Sequence, residues 1–254
     1  MTGLLYKEFR LNARKLIFSI IGTMVYPVVI IIVTKLSEIE AEKTFNDAQQ
    51  EQMLMNIMGL LWLTSCFMAF MFFAAFQNTL IIEDERKKWA YYITSTPTGV
   101  NGFIGVKYLM VMITGMFVVT IMTIMQAIQN DMDSLTIDAT AVTIMGFFMQ
   151  LLFRAIEYPL VFRFGTKVGN MVKSCIVVLL CIVLFVYFLF GDTSMFANLE
   201  TFWDRFFNFV HDPEQMKKVY LWIGIIAVVV MPLYYLSYRL SVKWYLKGVE
   251  NYAK

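Results

Sequence analysis

Six apolar stretches, each long enough to cross a bilayer, leave this chain little choice of fold. They run over 16–34, 52–82, 108–130, 139–162, 174–191 and 219–238. A hydrocarbon core about 30 Å thick is crossed by roughly 20 helical residues. The expectation is an all-α, polytopic integral membrane protein with six transmembrane helices. At 254 residues the spans and their loops use nearly the whole chain, so 1–254 reads as a single transmembrane domain. Composition agrees: 59% of residues are hydrophobic and 16% charged, with mean hydropathy +0.64. Soluble proteins run nearer about 50% apolar and about 25% charged. Transport or signalling across a membrane heads the list of functions, and soluble catalysis falls far down it.

The net charge of +2 says little, but its distribution says more. Basic residues gather at both termini and in the loops after the second and fourth spans. They are Lys7, Arg10, Arg14 and Lys15; Arg86, Lys87, Lys88 and Lys107; Arg163, Lys167 and Lys173; and Arg239, Lys243, Lys247 and Lys254. These are fifteen, against five on the opposite side. The positive-inside rule puts both ends in the cytoplasm. The first apolar stretch lacks a small-residue cleavage pattern and reads as a retained anchor.

Several segments carry more than topology. Residues 1–15 read as an amphipathic helix on the inner membrane surface, with Lys7, Arg10 and Arg14 on one face and Leu5, Phe9 and Leu16 on another. That cationic stripe suits anionic lipid headgroups, with docking of a cytosolic partner as the alternative. The first outer loop, 35–51, is acidic and polar and reads as solvated. The second apolar stretch exceeds one straight crossing, so it tilts or extends toward the cytoplasm.

Residues 83–97 place acids before bases: Glu83, Asp84 and Glu85, then Arg86, Lys87 and Lys88. This order suits a helix macrodipole, and Glu83–Lys87 and Asp84–Lys88 are i,i+4 pairs. Trp89, Tyr91 and Tyr92 follow, and Pro97 ends any helix. The segment reads either as a docking element or as a charged cap with an interfacial aromatic belt.

Arg154 and Glu157 are charges inside the fourth span, spaced to share one helix face. Charges at that depth are costly and face a partner or a wet cavity. They form a structural ion pair or belong to a substrate path or gate. Tyr158-Pro159 is expected to disturb the helix just beyond them. Residues 192–218 space Leu199, Phe202, Phe206 and Val210 helically and read as an amphipathic helix on the outer leaflet. Cys66, Cys175 and Cys181 read as packing residues, and a lone histidine, His211, makes a histidine-based metal site unexpected.

Three pieces of this sequence resemble the permease subunits of type-two ATP-binding-cassette (ABC) exporters, in particular the small bacterial permeases that move toxic, amphipathic or antimicrobial peptides. They are Leu4-Leu5-Tyr6-Lys7-Glu8-Phe9-Arg10, the run from Glu83 through Trp89, Tyr92, Pro97 and Lys107-Tyr108-Leu109, and Tyr158-Pro159-Leu160 with Phe162-Arg163-Phe164-Gly165. Lys87-Lys88 stand where many members place Gly before the aromatic of the coupling helix. The resemblance implies an interfacial helix over 1–15, a cytoplasmic coupling loop over 83–97 and an extracellular segment over 192–218. It also implies an ATPase subunit in two copies, a second permease copy or a sister permease, and contact with membrane lipid in the bacterial cell membrane.

No G-x-x-x-x-G-K-[ST] occurs, so ATP and Mg are expected on the partner, with no cofactor and no enzymatic activity in this chain. Gly165-Thr166-Lys167-Val168-Gly169 resembles that motif only in composition, and close packing explains it as well. The 19 Met and 23 Phe allow a soft, adaptable lining but equally simple packing. An amphipathic or peptide cargo is therefore implied by the resemblance alone. No nucleic acid partner is expected. Two alternatives remain: a membrane immunity protein that binds a toxin without pumping it, and an ion-coupled secondary transporter, for which Glu157 is the sole candidate acid.

Overall fold

A computed structural model describes residues 2–44, 48–86, 99–132, 138–190 and 213–252. They form six helical elements: α1 (Thr2–Leu11), α2 (Ala13–Thr44), α3 (Ala48–Arg86), α4 (Gly99–Asp131), α5 (Thr140–Phe190) and α6 (Pro213–Tyr252). Among the described residues there is no strand. Among the described residues, five helical segments are long and apolar enough to cross a membrane: Ala13–Ser37, Asn56–Asp84, Gly99–Asp131, Thr140–Cys175 and Lys217–Tyr245.

The fourth and fifth apolar stretches of the sequence lie on one element, α5, which breaks at Gly165 (φ 82°, ψ 166°). The break falls there and not at Tyr158-Pro159, where the helix runs on. Proline lacks an N–H and strands the carbonyl four residues earlier. Here that carbonyl is Ala155 O, and Ser237 Oγ of α6 donates to it at 2.5 Å. The chain doubles back after Gly165. Glu157 and Lys173 would lie roughly 24 Å apart on a straight helix, yet they form an ion pair at 2.8 Å. Gly169 sits so close to Val161 that a Cβ on it would stand 2.8 Å from the Val161 Cα. The glycines of the Gly165–Gly169 stretch thus serve a tight helical reversal.

Other boundaries also move. Residues 35–44 continue α2 and 48–51 open α3 instead of forming a solvated loop. Ser37-Glu38-Ile39-Glu40-Ala41-Glu42-Lys43 contains neither Gly nor Pro and several strong helix formers, so nothing stops the helix at the end of the apolar run. The third span starts at Gly99, well before Tyr108, which places Lys107 inside α4. Residues 213–218 are the first turns of α6, with Pro213 opening the helix, where its missing N–H has no partner to lose. The remainder of 192–218 lies outside the described residues.

α4 stands at the centre. One apolar cluster joins it to α2 and α3 through Ile30, Trp62, Phe73, Leu80, Met110 and Met122. A second joins it to α5 and α6 through Ile104, Val111, Phe147, Leu151, Val230 and Tyr234. Lipid tails are as apolar as leucine, so close packing and hydrogen bonds hold such helices together. Glycines admit neighbouring rings at the contacts: Phe72 over Gly22, Phe147 over Gly115 and Phe70 over Gly146. Cys66 is buried and accepts from Thr143 Oγ1 at 3.4 Å, and Cys175 is exposed.

Away from the α1 end, Gln126 ties three elements together. Its Oε1 accepts from Trp62 Nε1 at 2.6 Å and from the Ala139 N–H at 3.1 Å, while Nε2 donates to Asn130 Oδ1 at 3.0 Å. Asp138 Oδ1 accepts from the Thr140 N–H and caps the start of α5. Gln126→Leu is expected to strand the Trp62 and Ala139 donors, at about 1–3 kcal/mol for each. Gln126→Glu keeps the acceptor but loses the donor to Asn130. It also buries a carboxylate without a cation among the described residues, so it is expected to cost at least as much. Unfolding midpoints of the two variants in the same detergent check this order.

Candidate functional site

The polar chemistry of the described residues concentrates in two groups, both on the half of α3 nearer α1. The first is a ring of four charges. α1 supplies Lys7 and Glu8, α3 supplies Asp84, and α4 supplies Lys107. Lys7 Nζ lies 3.4 Å from Glu8 and 3.0 Å from Asp84. Lys107 Nζ lies 2.8 Å from Glu8, pairs with Asp84 on the other side, and donates to Leu80 O at 2.9 Å. Each member therefore touches both members of opposite sign, and the ring is neutral overall. Lys107 is 1% exposed and Glu8 2%. Both ammonium groups also face the Phe103 ring, at 5.7 Å and 5.4 Å. Charges taken out of water cost several kcal/mol each unless paired with good geometry, and here every one is paired. Beside the ring, Lys15 of α2 pairs with Glu83 at 2.8 Å.

The second group surrounds Arg154. Its Nη1 donates to Glu157 Oε2 at 2.6 Å and to Asn78 Oδ1 at 2.5 Å. Its Nε donates to Gln77 Oε1 at 3.0 Å and its Nη2 to Ala74 O at 2.7 Å. Gln77 also accepts from Gln150 Nε2 and donates to Thr114 Oγ1. The guanidinium fork is thus spent on α3 and on its own helix, and Lys173 holds the other oxygen of Glu157.

Between the two groups lies an aromatic bridge. The Tyr108 ring, next in sequence to Lys107, meets Tyr158 edge-on at 5.1 Å, and Arg154 lies 5.8 Å from the Tyr158 ring centre. Tyr234 Oη donates to Tyr108 O at 2.8 Å. The Ser237 proton goes to Ala155 O, so Tyr108 Oη must donate to Ser237 at 2.7 Å and accept from Ser241 at 2.7 Å. These bonds fasten α6 to α4 and α5 and satisfy the hydroxyls of Tyr108, Tyr234, Ser237 and Ser241 in an apolar surround.

The residues singled out from sequence fall as follows. Lys7 turns inward to the ring and does not share an exposed stripe with Arg10 and Arg14. Arg10 lies over Tyr6 and donates to its hydroxyl at 3.2 Å, Arg14 is exposed, and Phe9 packs against the first apolar cluster. Glu83 and Asp84 meet Lys15, Lys7 and Lys107. Glu85 and Arg86 belong to the last turn of α3. Lys87, Lys88, Trp89 and Tyr92, with the rest of 87–98, lie outside the described residues, as do the i,i+4 pairs drawn to Lys87 and Lys88. Arg154 and Glu157 pair with each other and join a wider network. Glu8, Lys15, Lys107, Gln77 and Lys173 were not anticipated as site residues. Glu8 was findable as the lone acid of a basic segment, and Lys107 as a lysine entering an apolar run.

A bundle of long apolar helices, with its charges paired inside and its apolar side chains widely exposed, defines a multi-pass membrane protein. Residues 52–246, most of the chain, match the family described as ABC-2 family transporter protein, and the chain belongs to that family. It is a permease subunit of an ABC transporter, and the family implies an ATPase partner. No curated protein and no solved structure matches the chain.

Proposed function

We propose that this permease exports an amphipathic or peptide-like substrate, such as an antimicrobial or toxic peptide or a drug, across the bacterial cell membrane. Two ATPase subunits drive it, holding ATP and Mg, and a second permease copy or a sister permease completes the path. In this reading the chain crosses the membrane six times, with both termini in the cytoplasm. The reversal at Gly165 supports separate fourth and fifth crossings, and the basic residues at the α1 end support the orientation. The α1 helix lies on the inner membrane surface, and residues 83–97 receive the ATPase.

One observation carries the reading: family membership spans the segment in which Glu83 and Asp84 are held by ion pairs at the end of α3. ATP binds one arrangement of the assembly more tightly than the other, and that difference shifts the spans. Export of a peptide, in preference to another cargo, rests on the resemblance of the three sequence pieces.

The test is whether the neighbouring reading frame encodes an ATPase that copurifies with this chain, followed by ATP-dependent uptake of a fluorescent cationic amphipathic peptide into inverted vesicles. Trp89→Ala and the combined Glu83→Gln/Glu85→Gln change are expected to weaken association, and Cys66→Ala to leave it intact. A permease that neither binds the ATPase nor moves solute would end this account.

A further inference from the structure

We propose that Lys107 is a positioning residue that makes α1 part of the moving input element of the transporter. The inference rests on the permease reading above and deepens it. Asp84 lies in the last turn of α3 and Lys107 about two turns into α4, and the ring joins both to Lys7 and Glu8 of α1. Lys107 is the hub, for it meets both carboxylates and the Leu80 carbonyl while almost wholly buried.

Opening the ring would leave paired charges unpaired away from water, which is strongly unfavourable. A displacement of this end of α3 or α4 is therefore shared by α1, and the three move together. α1 lies outside the matched residues 52–246, so this role does not follow from the family match. The Lys15–Glu83 pair extends the same attachment to the first turns of α2, but it is partly exposed and correspondingly weaker. The physical warrant is a contiguous set of ion pairs, and coupling through it is measurable.

The experiment uses the full permease–ATPase complex in nanodiscs, with native cysteines replaced and nitroxides at Leu11→Cys of α1 and Leu236→Cys of α6. Both positions are exposed, and neither belongs to the ring. Trapping with ATP and vanadate is expected to shift the distance between the two labels. Lys107→Gln is expected to abolish the shift while the ATPase stays bound and turns over ATP. Lys107→Arg, which keeps the charge, is expected to retain it.

If Lys107→Gln does not fold, Lys7→Gln at the more exposed corner carries the same expectation. A shift that survives in the glutamine variant overturns the proposal, as does a wild type that binds and hydrolyses ATP without any shift. A wild type that binds no ATPase overturns the permease reading instead, and the role of Lys107 with it.

Discussion

Arg154→Met is expected to cost about 3–5 kcal/mol of stability, because breaking a buried ion pair by removing one partner leaves a charge uncompensated. The guanidinium serves Glu157, Gln77, Asn78 and the Ala74 carbonyl, so its loss strands acceptors on two elements at once. Lys173 still reaches Glu157 at 2.8 Å, which favours the lower part of that range. Arg154→Lys is expected to recover only part of the loss, since an ammonium lacks the planar fork that meets several acceptors in fixed directions. The double change Arg154→Met/Glu157→Met should fall closer to wild type than Arg154→Met alone, because the stranded carboxylate goes with its partner. Unfolding midpoints in a common detergent decide the matter. A methionine variant as stable as wild type would show that the network is not held by its arginine.

Gly165→Ala is the second substitution with a large expected effect. Its φ of 82° and ψ of 166° lie in a region open essentially to glycine alone, and a side chain there costs of order 1–3 kcal/mol. Gly169→Ala acts on the same reversal by another route. Its Cβ would meet Val161 Cα at 2.8 Å, and a backbone atom cannot rotate aside. The paired variant Gly165→Ala/Gly169→Ala is expected to separate the two arms of α5. With the native cysteines replaced, cross-linking of Glu157→Cys to Lys173→Cys by a short bifunctional thiol reagent reads this directly, the reagent standing in for the reach of the two long side chains. Efficient cross-linking in the wild-type background and little in the glycine variant is the expected pair of results, and equal cross-linking in both would refute it.

Much of this could be read along the chain. Apolar length located the helices, because a bilayer-sized run needs no distant partner to declare itself. Helix ends were less legible. The segment after Thr34 looked like a loop because polarity was taken as the stop signal, whereas helix propensity carries α2 on to Thr44. Pro159 looked like the breaking point because proline lacks an N–H. The true break is a glycine, since Ser237, far away in sequence, satisfies the carbonyl that Pro159 leaves bare.

The candidate site divides in the same way. Arg154 and Glu157 were visible as a pair because i,i+3 spacing is a local property of a helix. The ring was not, because Lys7 meets Asp84 across 77 positions and nothing at either residue names the other. Lys7 looked like a headgroup contact, and Lys107 like a loop residue, until their carboxylates were in place.

The order of residues alone therefore settled that this chain is a helical membrane protein of a given family, since hydropathy and short motifs act at close range. Tertiary structure decided which charges neutralise one another, where the fifth element turns back, and that α1 is joined to α3 and α4. Those depend on groups brought within a few ångströms by packing, and Coulomb attraction away from water acts only between the groups that packing has placed side by side.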